Sequence, residues 1–247
     1  MKEGSFVQVN YTGKIVASGE VFDTTVEKKA IDTGIFNEKT KYRPLTVIVG
    51  ENELLKGLDL ALKEMKVGEE KKVVLKPADA FGERNPKLVA VLPLREFKKQ
   101  KMNPIPGLIV EVDGRRGKVQ SVSGGRVRVD FNHPLAGKEL EYELKVEKEI
   151  KGAKEKVEAL FEKFFGMIPE KEKSVKVSGK VVEVGLNAKY AAEIGALKKR
   201  FSELITKHVQ GIEKVRFVEE FSEKKEKTEE KKESNAGKKE KKAEEKK

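Results

Sequence analysis

The sequence has no cysteine, no tryptophan and only two histidines among its 247 residues. These absences exclude a disulfide scaffold, a thiol nucleophile and cysteine-ligated zinc, and they leave too few ligands for a histidine-rich metal site. No apolar run approaches the ~18 residues of a membrane span, and MKEGSFVQVNYTG has no apolar stretch typical of an export signal. We therefore expect a cytoplasmic protein that needs no metal and no cofactor.

Charge is abundant but uneven. Charged residues make up 38% of the chain, and 53 Lys+Arg against 42 Asp+Glu give a net charge of +11, which invites an anionic partner. Lys and Glu dominate, a bias typical of thermophiles. Residues 223–247 hold 11 Lys and 8 Glu and almost nothing apolar. They are predicted to form a disordered tail, because such a segment buries too little surface to offset its ordering entropy.

The first half of the chain shows several short strand patterns and one helix. Residues 6–16 alternate apolar and polar, and 21–25, 44–50 and 71–77 are shorter β-rich runs. NELLKGLDLALKEMKVG has leucines at helical spacing, with Gly68 expected to end the helix. A single short helix without a βαβ rhythm predicts an α+β fold in which an antiparallel sheet wraps on one helix.

The second half contains two further modules. Between residues 84 and 130, Asp113-Gly114 and Gly124-Gly125 separate alternating runs, which predicts a small β-rich meander with hairpin turns. LEYELKVEKEI (140–150) resumes as a strand. After Gly152, VEALFEKFFGMI is expected to be a helix, SVKVSGKVVEVG a strand, AKYAAEIGALKKRFSELITKHV a longer helix and GIEKVRFVEEF a strand, forming an α-β-α-β domain.

Conventional catalytic motifs are missing. No Walker motif, G-x-G-x-x-G or H-E-x-x-H occurs. His208 falls near the end of a Lys-rich helix, and His133 falls in the Pro-Gly loop FNHPLAG, so both are interpreted as structural. What remains is a set of apolar residues with one carboxylate, which composition alone would assign to an ordinary core: Tyr11, Phe22, Asp23, Val47, Val49, Leu54, Leu55, Leu58, Phe81 and Tyr142.

The order and spacing of several segments resemble the FK506-binding-protein (FKBP) prolyl isomerases. These segments are VNYTG (9–13), GEVFDTT (19–25), residues 49–82 with their G-x-x-x-x-L/I-x-G pattern before the helix, and LEYELKV (140–146). The interruption at 84–130 is similar to the insert-in-flap chaperone domain of SlyD-type members, and the C-terminal module looks like that of long archaeal members. The resemblance implies a peptidyl-prolyl cis-trans isomerase that assists the folding of unfolded or nascent polypeptides with X-Pro bonds.

The resemblance, together with the composition of the last residues, predicts three domains and a tail. Residues 1–83 and 131–150 would form the isomerase domain, 84–130 the insert-in-flap chaperone domain, 151–222 a C-terminal domain that could form a homodimer, and 223–247 the tail.

The resemblance also assigns residues. Catalytic roles fall on Tyr11, Phe22, Asp23, Phe81 and Tyr142, and substrate binding on Leu45, Val47, Leu54, Leu55 and Leu58. Tyr11 is expected to hydrogen-bond Asp23, and the Leu55 N–H to donate to the substrate. Leu58 stands where the family often has Trp, and Phe81 where it often has Tyr, and both departures bear on macrolide binding more than on isomerisation.

Two alternatives from other classes stay open. A holding chaperone with weak isomerase activity is suggested by Leu58 and Phe81. A nucleic-acid- or ribosome-associated basic protein is suggested by the charge of +11 and by the arginines of GRRGKVQSVSGGRVRV. The near-absence of aromatic residues from this segment argues against binding of single strands by base stacking.

Overall fold

The computed structural model describes residues 1–191 and 194–221, so the Lys/Glu tail predicted at 223–247 lies outside the described residues. The chain divides into two compact units, Met1–Lys163 and a second that starts at Phe164. Within the described ranges, no helix is long and apolar enough to cross a membrane.

In chain order the elements are β1 (Phe6–Ile15), β2 (Val21–Thr24), α1 (Glu27–Asp32), β3 (Leu45–Ile48), α2 (Lys56–Glu64), β4 (Glu70–Leu75), β5 (Val89–Pro93), α3 (Leu94–Lys99), β6 (Ile109–Val112), β7 (Arg115–Ser123), β8 (Arg126–Asp130), β9 (Leu140–Ile150), α4 (Ala153–Phe165), β10 (Lys173–Ser178), β11 (Val181–Asn187), α5 (Ala188–Ala191), α6 (Gly195–His208) and β12 (Lys214–Glu220). Short 3-10 turns lie at Pro77–Asp79, Pro86–Leu88 and Glu170–Glu172.

The first unit is built on a five-stranded antiparallel sheet. Its order is β2-β1-β9-β4, and β3 pairs with β1. Alternate residues of the central strands face inward and are fully buried, as Val7 and Val9 of β1 and Leu144 of β9 show. The expected antiparallel sheet wrapped on one short helix is thus confirmed.

Helix α2 packs against the inner face of this sheet. Leu58 and Leu62 are buried at helical spacing. A Cβ at Gly57 would lie 2.3 Å from the Leu75 Cδ2, so only glycine permits this close approach of α2 to β4. The helix ends at Glu64, and the prediction that Gly68 ends it is wrong. The buried Met65 leaves the helical conformation first and completes the core, and Gly68 makes the following turn with φ +83°.

Residues between β4 and β9 form a second, four-stranded antiparallel sheet in the order β5-β8-β7-β6. Both predicted Gly-containing turns are present, with positive φ at Asp113, Gly114, Gly124 and Gly125. The short helix α3 was not expected. It buries Phe97 against the apolar face of this sheet, which carries Val110, Val119, Val127 and Val129.

The two chain connections to this small sheet lie side by side. The Arg84 guanidinium donates two hydrogen bonds, of 3.1 and 2.6 Å, to one oxygen of Asp130. The backbone and side-chain N–H groups of Asn132 donate to the other oxygen at 2.9 and 2.7 Å. The Gly137 N–H donates to the Gly82 carbonyl at 2.9 Å. The chain therefore leaves the main sheet and returns to it at neighbouring points.

The second unit contains a three-stranded sheet in the order β10-β11-β12. The segment SVKVSGKVVEVG, expected as one strand, is a hairpin, because Gly179 adopts φ +57° and reverses the chain. β12 pairs parallel to β11. Helix α6 buries Phe201, whose ring lies 5.3 Å from that of Phe165 and 6.2 Å from that of Phe217.

Asp130 provides a test of the insert's attachment. Burial opposes ionisation of its carboxyl, but hydrogen bonds from Asn132 and Arg84 lower its pKa to about 2, below the usual 3.8. The stabilisation is therefore present above about pH 4 and lost as the pH falls through about 2. We expect Asp130→Asn to lower the free energy of unfolding by about 1–2 kcal/mol at neutral pH, a value reduced for solvent screening, and the difference to shrink towards pH 2.

Chemical denaturation of both proteins across this pH range measures the effect, with Asp113→Asn, an exposed turn position of the same insert, as the control. Equal stability of the Asp130→Asn and Asp113→Asn variants at neutral pH would contradict the structural role of Asp130.

Candidate active site

A pocket of about 350 Å³ lies between the sheet and the segment that precedes α2. β1 and β9 contribute its aromatic residues, β2 contributes Asp23, and the chain before and within α2 contributes its leucines and Glu53. Its lining consists of Tyr11, Asp23, Glu53, Leu54, Leu55, Leu58 and Tyr142. Six of the ten predicted site residues are therefore brought together in one pocket.

Strand pairing sets the aromatic wall. Tyr142 of β9 is the direct cross-strand partner of Gly13 in β1, so its ring lies over a residue without a side chain. The Phe22 ring meets the Tyr142 ring edge to face, with centroids 5.8 Å apart and an interplanar angle of 85°. The Tyr11 ring lies 6.1 Å from that of Tyr142. The three rings support one another in a single cluster with Leu58.

The expected hydrogen bond between Tyr11 and Asp23 is confirmed. The Tyr11 hydroxyl donates to the Asp23 Oδ2 at 2.8 Å. Burial, followed by this hydrogen bond and the negative charge of Asp23, raises the pKa of Tyr11 well above its usual 10. Burial and the same carboxylate raise the pKa of Tyr142 to about 12. Both phenols therefore stay protonated at neutral pH and remain hydrogen-bond donors.

Phe22 and Phe81 flank the pocket without belonging to its lining. Both pack at the edge of the cluster that contains Tyr142 and Leu58. The Phe81 ring is also stacked on His133, with centroids 4.4 Å apart and planes 1° from parallel. His133 accepts a hydrogen bond from the Leu135 N–H at 3.1 Å, which agrees with the turn role expected for it. The stack with Phe81 was not foreseen, because the two residues are separated by the entire insert.

Leu45 and Val47 of β3 lie elsewhere. Val47 is fully buried in the neighbouring core cluster with Val7, Leu62 and Leu144, and the half-buried Leu45 packs against that cluster. The structure does not place these two residues in the lining of the pocket, and Val47 has no exposed surface. Residues 45–48 are apolar or β-branched and almost entirely buried, so their sequence gave no alternation that would reveal which side faces the ligand.

Glu53 lines the pocket but was not predicted. Its carboxylate accepts a 2.8 Å hydrogen bond from the Ile48 N–H, and its other oxygen lies 2.8 Å from the Lys163 Nζ of α4. Glu162, the residue before Lys163 in α4, forms a second ion pair with Arg43. The two contacts of Glu53 anchor the segment that carries Leu54 and Leu55. The only sequence signal was an acidic residue next to the Leu-Leu pair, since its cationic partner lies far along the chain.

Comparison with known protein families identifies three matching regions. A family model described as FKBP-type peptidyl-prolyl cis-trans isomerase matches residues 1–106. Two more, described as the IF domain and the C-terminal region of FKBP26, match residues 90–135 and 153–222.

Similar proteins extend the match across several organisms. A short-type peptidyl-prolyl cis-trans isomerase of Methanocaldococcus jannaschii is 36% identical over 59% of this chain and 92% of its own. A 16 kDa FKBP-type isomerase of Escherichia coli K12 is 31% identical over 47% of this chain and 82% of its own. A SlyD isomerase of Helicobacter pylori is 26% identical over 56% and 69%. A solved FKBP42 N-terminal domain from Arabidopsis thaliana aligns over 61% of this chain and 76% of that chain, at 16% identity and a TM-score of 0.33.

The chain belongs to the FKBP-type peptidyl-prolyl cis-trans isomerase family. It is an isomerase that acts on polypeptides containing X-Pro bonds.

Gly13 offers a direct test of the aromatic wall. A Cβ at this position would lie 2.7 Å from the Phe22 Cζ and 2.9 Å from the Tyr142 Cε1, so Gly13→Ala must displace both rings. We expect kcat/KM for a short X-Pro peptide to fall about tenfold or more, and the free energy of unfolding to fall by about 1–3 kcal/mol.

A protease-coupled isomerisation assay and thermal unfolding report the two effects. Gly195→Ala is the matched control, since a Cβ there meets nothing within 4 Å. Wild-type catalysis by the Gly13→Ala protein would mean that the rings do not form the working wall.

Proposed function

We propose that catalysis takes place in the pocket of Tyr11, Asp23, Leu54, Leu55, Leu58 and Tyr142, with Phe22 and Phe81 as its outer walls. The observation that carries this assignment is the position of Asp23. Its carboxylate is exposed to solvent at a pocket that is lined mainly by aromatic and aliphatic side chains. The proline ring of the substrate would occupy the apolar floor over Leu58. Leu45 and Val47, assigned to substrate binding from the sequence, would support this site from the adjoining core.

The chemistry requires neither a proton transfer nor a covalent step. An X-Pro bond crosses a barrier of roughly 18–20 kcal/mol because twisting removes amide resonance. The twisted amide has a less dipolar carbonyl than the planar amide and loses less on leaving water. A dry, ring-lined pocket therefore favours the twisted state over the planar one, which is differential binding of the transition state.

Two polar groups would orient the substrate. Asp23 acts as an electrostatic and positioning group, and Tyr11 holds its carboxylate through their hydrogen bond. The Leu55 N–H precedes the first turn of α2, and the described part of the chain supplies no acceptor for it. We assign it as the donor to a substrate carbonyl, a role that Phe81 cannot take without a hydroxyl group.

The insert at 84–130 is proposed as a chaperone domain that captures clients beside the isomerase domain of 1–83 and 131–150. The large exposed fractions of Ile105 and Ile109 support this role, as does the family match to an IF domain. A weak capture site connected directly to the pocket would raise the local substrate concentration, to about mM for a short connection.

Other parts of the proposal rest on sequence pattern. Residues 151–222 would form the C-terminal domain, which is supported by the family match to 153–222. A homodimer contact through this domain is proposed from its apolar-rich helix pattern. A cytoplasmic, thermophilic and archaeal setting is supported by the Lys/Glu-rich composition and by the similarity to the Methanocaldococcus jannaschii protein. The support for a weak contact with a ribosome or a nucleic acid consists of the cations of the insert.

Removal of the carboxylate tests the pocket assignment. We expect Asp23→Ala to lower kcat/KM for an X-Pro tetrapeptide about tenfold, and Tyr11→Phe to lower it less, because the ring stays and only the hydrogen bond to Asp23 is lost. Tyr42→Phe is the control, because the Tyr42 hydroxyl accepts from the Asn37 N–H outside the pocket. If Asp23→Ala and Tyr42→Phe isomerise the peptide equally well, the pocket is misassigned.

A further inference from the structure

The outer face of the insert sheet is strongly basic. In β8, Val127 and Val129 face the small core, so Arg126 and Arg128 face outward. In β7, Gly117 and Val119 are buried, and Arg116 and Lys118 are exposed. We call Arg116, Lys118, Arg126 and Arg128 the basic face.

None of the four cations of the basic face forms an ion pair within residues 1–191 and 194–221. Two carboxylates are their cross-strand neighbours: Glu111 lies opposite Arg116, and Asp130, opposite Lys118, is paired with Arg84. The outer face of the main sheet of the same protein is different. There Lys14 lies 2.7 Å from Glu141, Lys72 lies 3.4 Å from Glu143, and Lys145 lies 3.4 Å from Glu70. The main sheet thus pairs these exposed cations with its own carboxylates, whereas Arg116, Lys118, Arg126 and Arg128 form no ion pair in the described part of the chain.

Two hollows lie along this face and the adjoining edge of β5. One, of about 440 Å³, places Arg128 beside Val89 and Pro86. The other, of about 700 Å³, places Arg126 beside Val91 and Pro93, with Arg95 and Lys98 at its side. No carboxylate lines either hollow. Both therefore combine positive charge with apolar surface.

This combination distinguishes between anionic partners. Val91 is 56% exposed and is the cross-strand partner of Arg128, so an apolar side chain and a cation are presented together. Neither hollow is lined by an aromatic ring on which a base could stack. A polypeptide segment that carries carboxylates next to apolar side chains matches both properties, whereas a nucleic-acid backbone matches only the charge.

We propose that the basic face and its two hollows bind unfolded client segments in which Asp or Glu lies next to apolar residues. The proposal rests on client capture by the insert and adds a substrate class to it. The charge attracts the segment, and the apolar walls hold it. Binding is independent of proline, since the isomerase pocket is not involved.

The test uses the full chain and three labelled, unstructured peptides of 15 residues without proline. The peptides share one Leu-containing sequence and differ only at the variable positions, which hold Glu, Gln or Lys. Fluorescence anisotropy at about 50 mM salt measures affinity, where exposed charges are weakly screened. We expect the Glu peptide to bind about tenfold more tightly than the Gln peptide. Arg126→Gln combined with Arg128→Gln should abolish this preference.

The matched control is Lys72→Gln combined with Lys145→Gln, which removes the same charge from the main sheet and should leave the preference intact. Tetrapeptide isomerisation should be unchanged in both double variants. Equal binding of the three peptides, or an equal loss in both variants, would overturn the acidic preference while leaving client capture standing. Absence of all peptide binding would overturn both proposals. Tighter binding of a labelled 15-nucleotide oligouridine than of the Glu peptide would assign the face to nucleic acid instead.

Discussion

The pairing of β1 with β9 is the contact on which the rest of the first unit depends. It runs from Phe6 opposite Ile150 to Ile15 opposite Leu140. The same register places Tyr142 opposite Gly13 and so determines where the aromatic wall of the pocket stands. A slip of one residue would turn Tyr142 and Leu144 to the outer face and their charged neighbours into the core. The pocket and the core are therefore specified together.

The pairing of β4 with β9 explains how an entire insert fits into the main sheet. β4 and β9 are antiparallel neighbours, so the chain leaves and returns at one edge. The bond from Gly137 to Gly82 closes that edge, and the Arg84–Asp130–Asn132 network closes the base of the insert. The entropy cost of a long connection grows only slowly with its length. The insert can consequently add a binding surface without disturbing the register that forms the pocket.

Much of the fold could be predicted from local sequence. The alternating residues of β1, the leucine spacing of α2 and the glycine pairs of the insert turns each carry their own structural signal. The resemblance of YTG, VFD and the segment before α2 to FKBP motifs was enough to bring Tyr11, Asp23, Leu54 and Leu55 together. The rest depended on tertiary structure. The orientation of Val47 is set by a core that covers both sides of its strand.

The unforeseen contacts at the site are all long-range. Lys163 reaches Glu53 from a helix that follows the whole isomerase sheet, and His133 reaches Phe81 across the insert. No periodicity or turn signal reports such pairs. The departures at Leu58 and Phe81 are visible in the sequence, whereas the stack of Phe81 on His133 becomes visible only in three dimensions.

The measurement that bears most directly on this account compares two substrates, an X-Pro tetrapeptide and a protein whose refolding is limited by proline isomerisation. Each is assayed with the whole chain and with a variant in which a short loop replaces residues 84–130, a change that the adjacent ends of the insert permit. We expect peptide isomerisation to survive in the variant while catalysed refolding collapses. Equal loss of both activities in a folded variant, or full retention of catalysed refolding, would contradict the division between a catalytic pocket and a capturing insert.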